Sequence, residues 1–164
     1  MVGSAPMKGD AKIIEVLNDV LTAELTAINQ YFVHGEMCEN WGYERLHKII
    51  RKHSIGEMKH AEELIERVLF LEGIPNVQRL GKINIGENVE EIFKSDYALE
   101  LDALPRLNEG IELCRAKGDN NSRHLLEEIL HEEESHVDWL EAQMSLIEQV
   151  GIQNYLAQQI KEDE

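Results

Sequence analysis

Gly56-Glu57-Met58-Lys59-His60-Ala61 is the stretch that decides the fold. Glu57 and His60 stand three apart in a run of strong helix formers from Gly56 to Leu71. A helix places them on one face, about one turn apart. One carboxylate oxygen and one imidazole nitrogen then reach the same metal ion. The chain writes the pair again at Glu133-Glu134-Ser135-His136. Glu24 lies 33 residues before Glu57, Glu100 lies 33 before Glu133, and all three positions recur at an offset of 76. The pattern reads as two similar helical hairpins, each giving a Glu and a Glu-x-x-His to one shared dinuclear centre.

Apolar residues at helical spacing surround these positions. A first helix is expected from Asp10, a good N-cap, to near Trp41 before Gly42. Its stripe is Ile13, Leu17, Val20, Leu21, Ile28 and Tyr31, and Glu24 falls inside it. The second helix is expected from about Tyr43 to Glu72, with Glu57 and His60 on its inward face. A connection from Gly73 to Glu87, broken by Pro75, Gly81 and Gly86, is too long for a tight hairpin and suits a crossover to the far end of a bundle. Asn88-Val89-Glu90-Glu91 resembles a capping box and opens a third helix to about Lys117, with Pro105 as an expected kink. A fourth helix from about Asn121 to Val150 and a short fifth from Ile152 to about Gln159 complete an all-α fold.

Four glutamates and two histidines in the middle of apolar stripes need a compensating charge. An unpaired buried carboxylate costs several kcal/mol, and no lysine or arginine shares these faces. Two divalent ions would balance four carboxylates. A single Glu on a helix usually points to solvent, but two matched pairs at one offset do not fit that explanation. Four-helix bundles that hold two metals between carboxylates use this ligand arrangement.

The whole chain agrees with that picture. Its 164 residues are enough for one core, and three prolines with few aromatics favour helices. The net charge of −16 excludes nucleic acid as a natural partner and suits a protein that attracts cations. No apolar run reaches transmembrane length, so no membrane partner is expected. Residues 1–6 read as a flexible extension before Met7, and residues 7–164 as one domain. Cys38 and Cys114 form no Cys-x-x-Cys pattern, and free thiols in a reducing cytoplasm are expected.

The chain resembles the bacterioferritins from Met7 to its C-terminus. The likeness is carried by Met7-Lys8-Gly9-Asp10, Ala27-Ile28-Asn29-Gln30-Tyr31-Phe32, Gly56-Glu57-Met58-Lys59-His60-Ala61, Leu69-Phe70-Leu71-Glu72-Gly73, Leu99-Glu100-Leu101 and Gln153-Asn154-Tyr155-Leu156. The resemblance implies a ferritin-like four-helix bundle with a short fifth helix, in a hollow shell of twenty-four subunits built from twofold dimers. It implies a ferroxidase that oxidises iron(II) at two iron positions per subunit and stores ferric mineral inside. By position, Glu24 and His60 would bind one iron, Glu100 and His136 the other, and Glu57 and Glu133 would bridge them. Tyr31, two turns beyond Glu24 on the same face, is either an electron donor or a hydrogen-bonding neighbour of a ligand.

Met58 lies about 100° around the helix from Glu57 and should face away from the centre. The resemblance makes it, with its copy across a twofold axis, the axial ligand of a b-type haem. That haem would carry electrons for iron release, supplied by a small ferredoxin. A second subunit type in the shell stays open, as does oxygen or peroxide as oxidant. Some members of the family carry an interior His and Asp where this chain has Lys52 and Gly56, which cannot reproduce that additional iron site. His53 is either a contributor there or a residue behind the ligands, while His34, His47, His124 and His131 show no ligand spacing. Three other readings compete. A haem-free ferritin differs only in Met58. A peroxidase of the rubrerythrin kind would carry the absent Cys-x-x-Cys, and a di-manganese catalase uses the same bundle. A DNA-protecting cage is opposed by the charge and by ligands that all lie within one chain.

Overall fold

The computed structural model describes residues 8–161. The extension over residues 1–6 and the start at Met7 lie outside them. Five helices follow in order: α1 (Ala11–Asn40), α2 (Glu44–Phe70), α3 (Val89–Lys117), α4 (Asn120–Val150) and α5 (Ile152–Ala157). α1 packs on α2 and α3 on α4, and the pairs meet through α1 with α3 and α2 with α4. This is the expected four-helix bundle with a short fifth helix. Among the described residues no helix is long and apolar enough to cross a membrane.

Local chemistry sets the helix ends. Asp10 caps α1, accepting from the N–H groups of Lys12 and Ile13. Asn88 caps α3 by accepting from the Glu91 N–H at 2.9 Å, and the Glu91 carboxylate reaches back to the N–H of Glu87 rather than to that of Asn88. Asp119 caps α4 and is held there by Arg67 of α2 at 2.8 Å. α2 ends at Phe70, two residues before its expected end, and the residue in left-handed backbone is Glu72 (φ 64°), not Gly73. Gly73 is needed for space instead, because a Cβ there would lie 2.8 Å from Ile14 Cγ2. α3 continues through Pro105, which lies on the exposed side of the helix.

Residues 71–88 form the long crossover, which runs beside α1 in the same direction. α1 holds it with a polar side chain at every fourth residue. Asn18 accepts from the Asn76 N–H at 2.8 Å and donates to the Ile74 carbonyl. Thr22 accepts from Arg79 Nε at 3.0 Å, and Thr26 from the Gly81 N–H at 2.8 Å. Gln30 accepts from the Asn84 N–H at 3.1 Å, and His34 Nε2 from the Gly86 N–H at 3.0 Å. That last bond puts the His34 proton on Nδ1, which donates to Asp96 of α3 at 2.8 Å. Gln30 donates to the same Asp96 oxygen.

The apolar core falls into two clusters. Ile13, Leu17, Leu21, Leu64, Leu107 and Leu126 represent one, and Tyr31, Leu46, Ile50, Phe93, Leu140 and Tyr155 the other. Along every long helix the acidic and histidine positions fall between the two. Glu24 lies between Leu21 and Ala27, and Glu57 and His60 between Ile50 and Leu64. Glu100 lies between Phe93 and Leu107, and Glu133 and His136 between Ile129 and Leu140. A polar layer therefore crosses the middle of the bundle.

Candidate metal centre

All six residues expected at the centre meet in that layer. Glu24, Glu57, His60, Glu100, Glu133 and His136 are between 2% and 7% exposed. They form two sets whose ligand atoms lie within 4.8 Å of one another: Glu24, Glu57, His60 and Glu133, and Glu57, Glu100, Glu133 and His136. Glu57 and Glu133 belong to both. Met58 is not among them: it is 52% exposed, while its neighbours Glu57 and His60 are buried.

The hydrogen bonding is incomplete in a directed way. His60 Nδ1 faces Glu24 and Glu57 at 3.4 Å and Glu133 at 3.5 Å. His136 Nδ1 lies 3.0 Å from Glu100, which also accepts from the Tyr31 hydroxyl. Among the described residues, the buried side-chain atoms without a hydrogen-bond partner are Glu24 Oε2, Glu57 Oε2, His60 Nδ1, Glu100 Oε2 and Glu133 Oε1. Every one belongs to a residue of this set, where native interiors rarely leave such atoms unpaired. Oxygen and imidazole donors that converge without partners fit divalent cations of the iron, manganese or zinc type.

Without a cation to neutralise it, burial and mutual contact shift the groups of the cluster away from their ordinary ranges. Burial, then the Glu100 and Glu57 carboxylates, push Glu133 well above the ordinary carboxylate range. Burial likewise raises Glu57, with the nearby His60 offsetting part of the effect. Burial also pushes Glu100 up, but hydrogen bonds from Glu133, His136 and Tyr31 outweigh it and leave it lowered. His60 and His136 are lowered by burial and raised more by their carboxylate neighbours, for a net rise. Burial and Glu100 push Tyr31 well above its usual value, so it stays a neutral hydroxyl donor.

The centre is reached from two sides. A cavity of about 530 Å³ between α1, α3 and the crossover has Glu24, Glu57, Glu100 and Glu133 in its lining, with Ala27 and Ala98 among its small wall residues. On the α2–α4 side, His60 borders a second depression whose other walls include Glu63, His124, Glu128, His131 and Glu132. His53, left open between two roles, packs its ring 4.0 Å from that of His136 and beside Trp139. Burial and the His136 charge push His53 down to about 3, so it is a neutral ring. Cys38 and Cys114 are free and buried, which pushes both thiols up, to about 12 and about 11.

Reading residues singly missed three features. The Gln30–His34–Asp96 network was legible only in the four-residue spacing of Asn18, Thr22, Thr26, Gln30 and His34. Glu132, which meets His60 Nε2 at 2.5 Å, stands beside the matched Glu133 and looked like solvated charge. The packing of His53 on His136 had no signal beyond its stripe position.

Comparison with known proteins agrees with this fold. The ferritin-like domain family matches residues 14–150. The bacterioferritin of Mycobacterium bovis is 48% identical over 152 residues, covering 93% of this chain and 96% of that protein. The bacterioferritin of Streptomyces coelicolor is 48% identical over 156 residues, 95% of this chain and 93% of that protein. That of Brucella melitensis is 45% identical over 149 residues, 91% and 92% of the two.

Proposed function

The chain belongs to the ferritin-like family and, within it, to the bacterioferritins, and from that premise we propose that it is an iron-storing ferroxidase. Iron(II) is its substrate. Glu24 and His60 bind one ion, Glu100 and His136 the other, and Glu57 and Glu133 lie between them as bridges. Two iron(II) ions give two electrons. With two protons they reduce dioxygen to peroxide, or peroxide to two waters, and both ions leave as iron(III) without release of a one-electron product. The small-walled cavity between α1 and α3 suits entry of the ion to the carboxylates. Tyr31 holds Glu100 by its hydroxyl and keeps that carboxylate turned to its metal position.

The ferric product is stored in a closed shell of twenty-four copies built from twofold pairs, in the cytoplasm. Met58 is an exposed thioether beside the exposed Ile55 on α2, and that apolar, soft-donor surface fits a b-type haem held with the same methionine of a second copy. Bound there, such a haem supplies an electron carrier of raised potential. A small ferredoxin is the proposed reductant for iron release.

One observation carries the reading: both ligand sets contain Glu57 and Glu133, so two metals at this centre share two carboxylates. Glu133→Ala removes a ligand from both sets. Stopped-flow mixing with iron(II) under oxygen should then lose the fast phase of oxidation by at least about 100-fold, while assembly by light scattering is unchanged. Wild-type oxidation rates in that variant would defeat the assignment.

A further inference from the structure

The six ligands repeat at one offset, but their surroundings do not. His60 directs Nδ1 at Glu24, Glu57 and Glu133 and directs Nε2 the other way, to Glu132 Oε2 at 2.5 Å. Glu132 immediately precedes Glu133 on α4. Its counterpart in the repeat, 76 residues earlier, is Gly56, which immediately precedes Glu57 on α2. Position 56 offers His136 no carboxylate, and a Cβ built there would meet nothing within 4 Å. His136 is held by packing instead, between the rings of Tyr31 at 5.1 Å, His53 at 4.0 Å and Trp139 at 6.3 Å.

We propose that Glu132 is the positioning residue of His60, and that it makes the two metal positions chemically unequal. An imidazole has two neutral tautomers, and only the one protonated on Nε2 leaves the Nδ1 lone pair for a metal. Glu132 accepts the Nε2 proton and selects that tautomer. It also fixes the ring plane, since the bond holds one edge of the ring while Nδ1 looks inward. A carboxylate hydrogen-bonded behind a metal-bound histidine raises the basicity of the ligand, and its loss typically costs about 10- to 100-fold in metal affinity. The Glu132 side chain is 63% exposed, so it contributes little to packing. It turns toward His60 in a depression whose other walls are Glu63, Glu127 and Glu128, of like charge, and Lys59, His124 and His131. A carboxylate there has solvent as an alternative, and the geometry of His60 is what it serves.

The inference rests on the six-ligand reading of the centre, and cobalt(II) tests the two separately. Anaerobic titration of the full-length protein, followed by the visible absorption of bound cobalt(II), should fill two positions per subunit in the wild type. Glu132→Ala should weaken one position about 10- to 100-fold and leave the other unchanged, giving a clearly biphasic curve. Glu132→Gln keeps a carbonyl oxygen to accept the Nε2 proton and should restore most of the affinity. Glu128→Ala removes the same charge from the same depression without touching His60 and should titrate like wild type. The metal-free thermal midpoint should be unchanged in all three. Two tight positions in Glu132→Ala would overturn the proposal. So would equal weakening in Glu128→Ala, which would make the effect one of charge, or a lowered metal-free midpoint in Glu132→Ala, which would make it one of folding. Failure of Gln to rescue would also count against it. A wild type that takes up no cobalt(II) would remove the six-ligand reading itself and the proposal with it.

Discussion

Glu133 carries two opposed demands. As a carboxylate buried between Glu57 and Glu100 it is pushed well above the ordinary carboxylate range when the centre is metal-free. As a member of both sets of converging donor atoms it is also placed to face a cation, which would favour its charged form. Gln has nearly the same shape and carries no charge to bury, so Glu133→Gln should fold with a metal-free thermal midpoint no lower than wild type. Saturating zinc(II), at about 100 times its dissociation constant, should add roughly 2.7 kcal/mol to the wild type, seen as a rise of several degrees. In Glu133→Gln most of that rise should disappear. An equal zinc-induced shift in the two proteins, measured by calorimetry, would show that the stabilising metal sits elsewhere. The six residues of the buried layer were legible because a charged residue inside an apolar stripe is a conflict that only a partner resolves. Glu132 was not, because an exposed glutamate in an acidic run creates no conflict, and its contact with His60 depends on a facing helix.

Helices and crossover differ in how they are specified. Each long helix carries its own period, and Asp10 and Asn88 mark the starts of α1 and α3 by chemistry that involves only a few residues. The crossover has no period. Its course is written in α1, where Asn18, Thr22, Thr26, Gln30 and His34 stand four apart and bond to it, Thr22 through the Arg79 side chain and the others through its backbone. Polar residues at that spacing read as a wet helix face until the segment that covers them is known. The consequence is testable at Thr26, which is 2% exposed and whose hydroxyl accepts from the Gly81 N–H. Thr26→Val keeps shape and branching but removes the acceptor, at a cost of about 1 kcal/mol confined to the crossover. Arg79 and Lys82 flank Gly81 and are the trypsin sites there. Cleavage from a briefly opened state follows the opening equilibrium, so cutting at these two bonds should speed up about fivefold. Cutting after Arg123, inside α4, should not change. Equal rates in variant and wild type at Arg79 and Lys82 would mean the crossover is held by its other contacts.

For the molecule as a whole, the buried and exposed surfaces point to different tasks. The buried layer gathers carboxylates and imidazoles, the proposed metal site, while large apolar side chains on α1 and α2, including Phe32, Ile55, Met58 and Phe70, remain exposed on a single chain. Exposed apolar surface of this kind marks association. Met58 separates the two tasks within one turn of α2. It is 52% exposed, next to Glu57, which is 5% exposed, so a change at its side chain need not disturb the carboxylates behind it. Met58→Leu keeps volume and apolar character while deleting the sulfur, which such surfaces tolerate at a cost below about 1.5 kcal/mol. If Met58 and its copy hold the haem as proposed, one substitution removes both thioethers of a symmetric pair. The variant should therefore assemble to wild-type size, oxidise iron(II) at the wild-type rate, lack the haem absorption band and release stored iron more slowly under a ferredoxin reductant. Light scattering, stopped-flow oxidation, the visible spectrum and a chelator assay read these four outcomes independently. Haem at wild-type stoichiometry with an unchanged spectrum would place its ligand on another residue, and a lost oxidation rate would show that the surface of α2 and the buried layer are coupled after all.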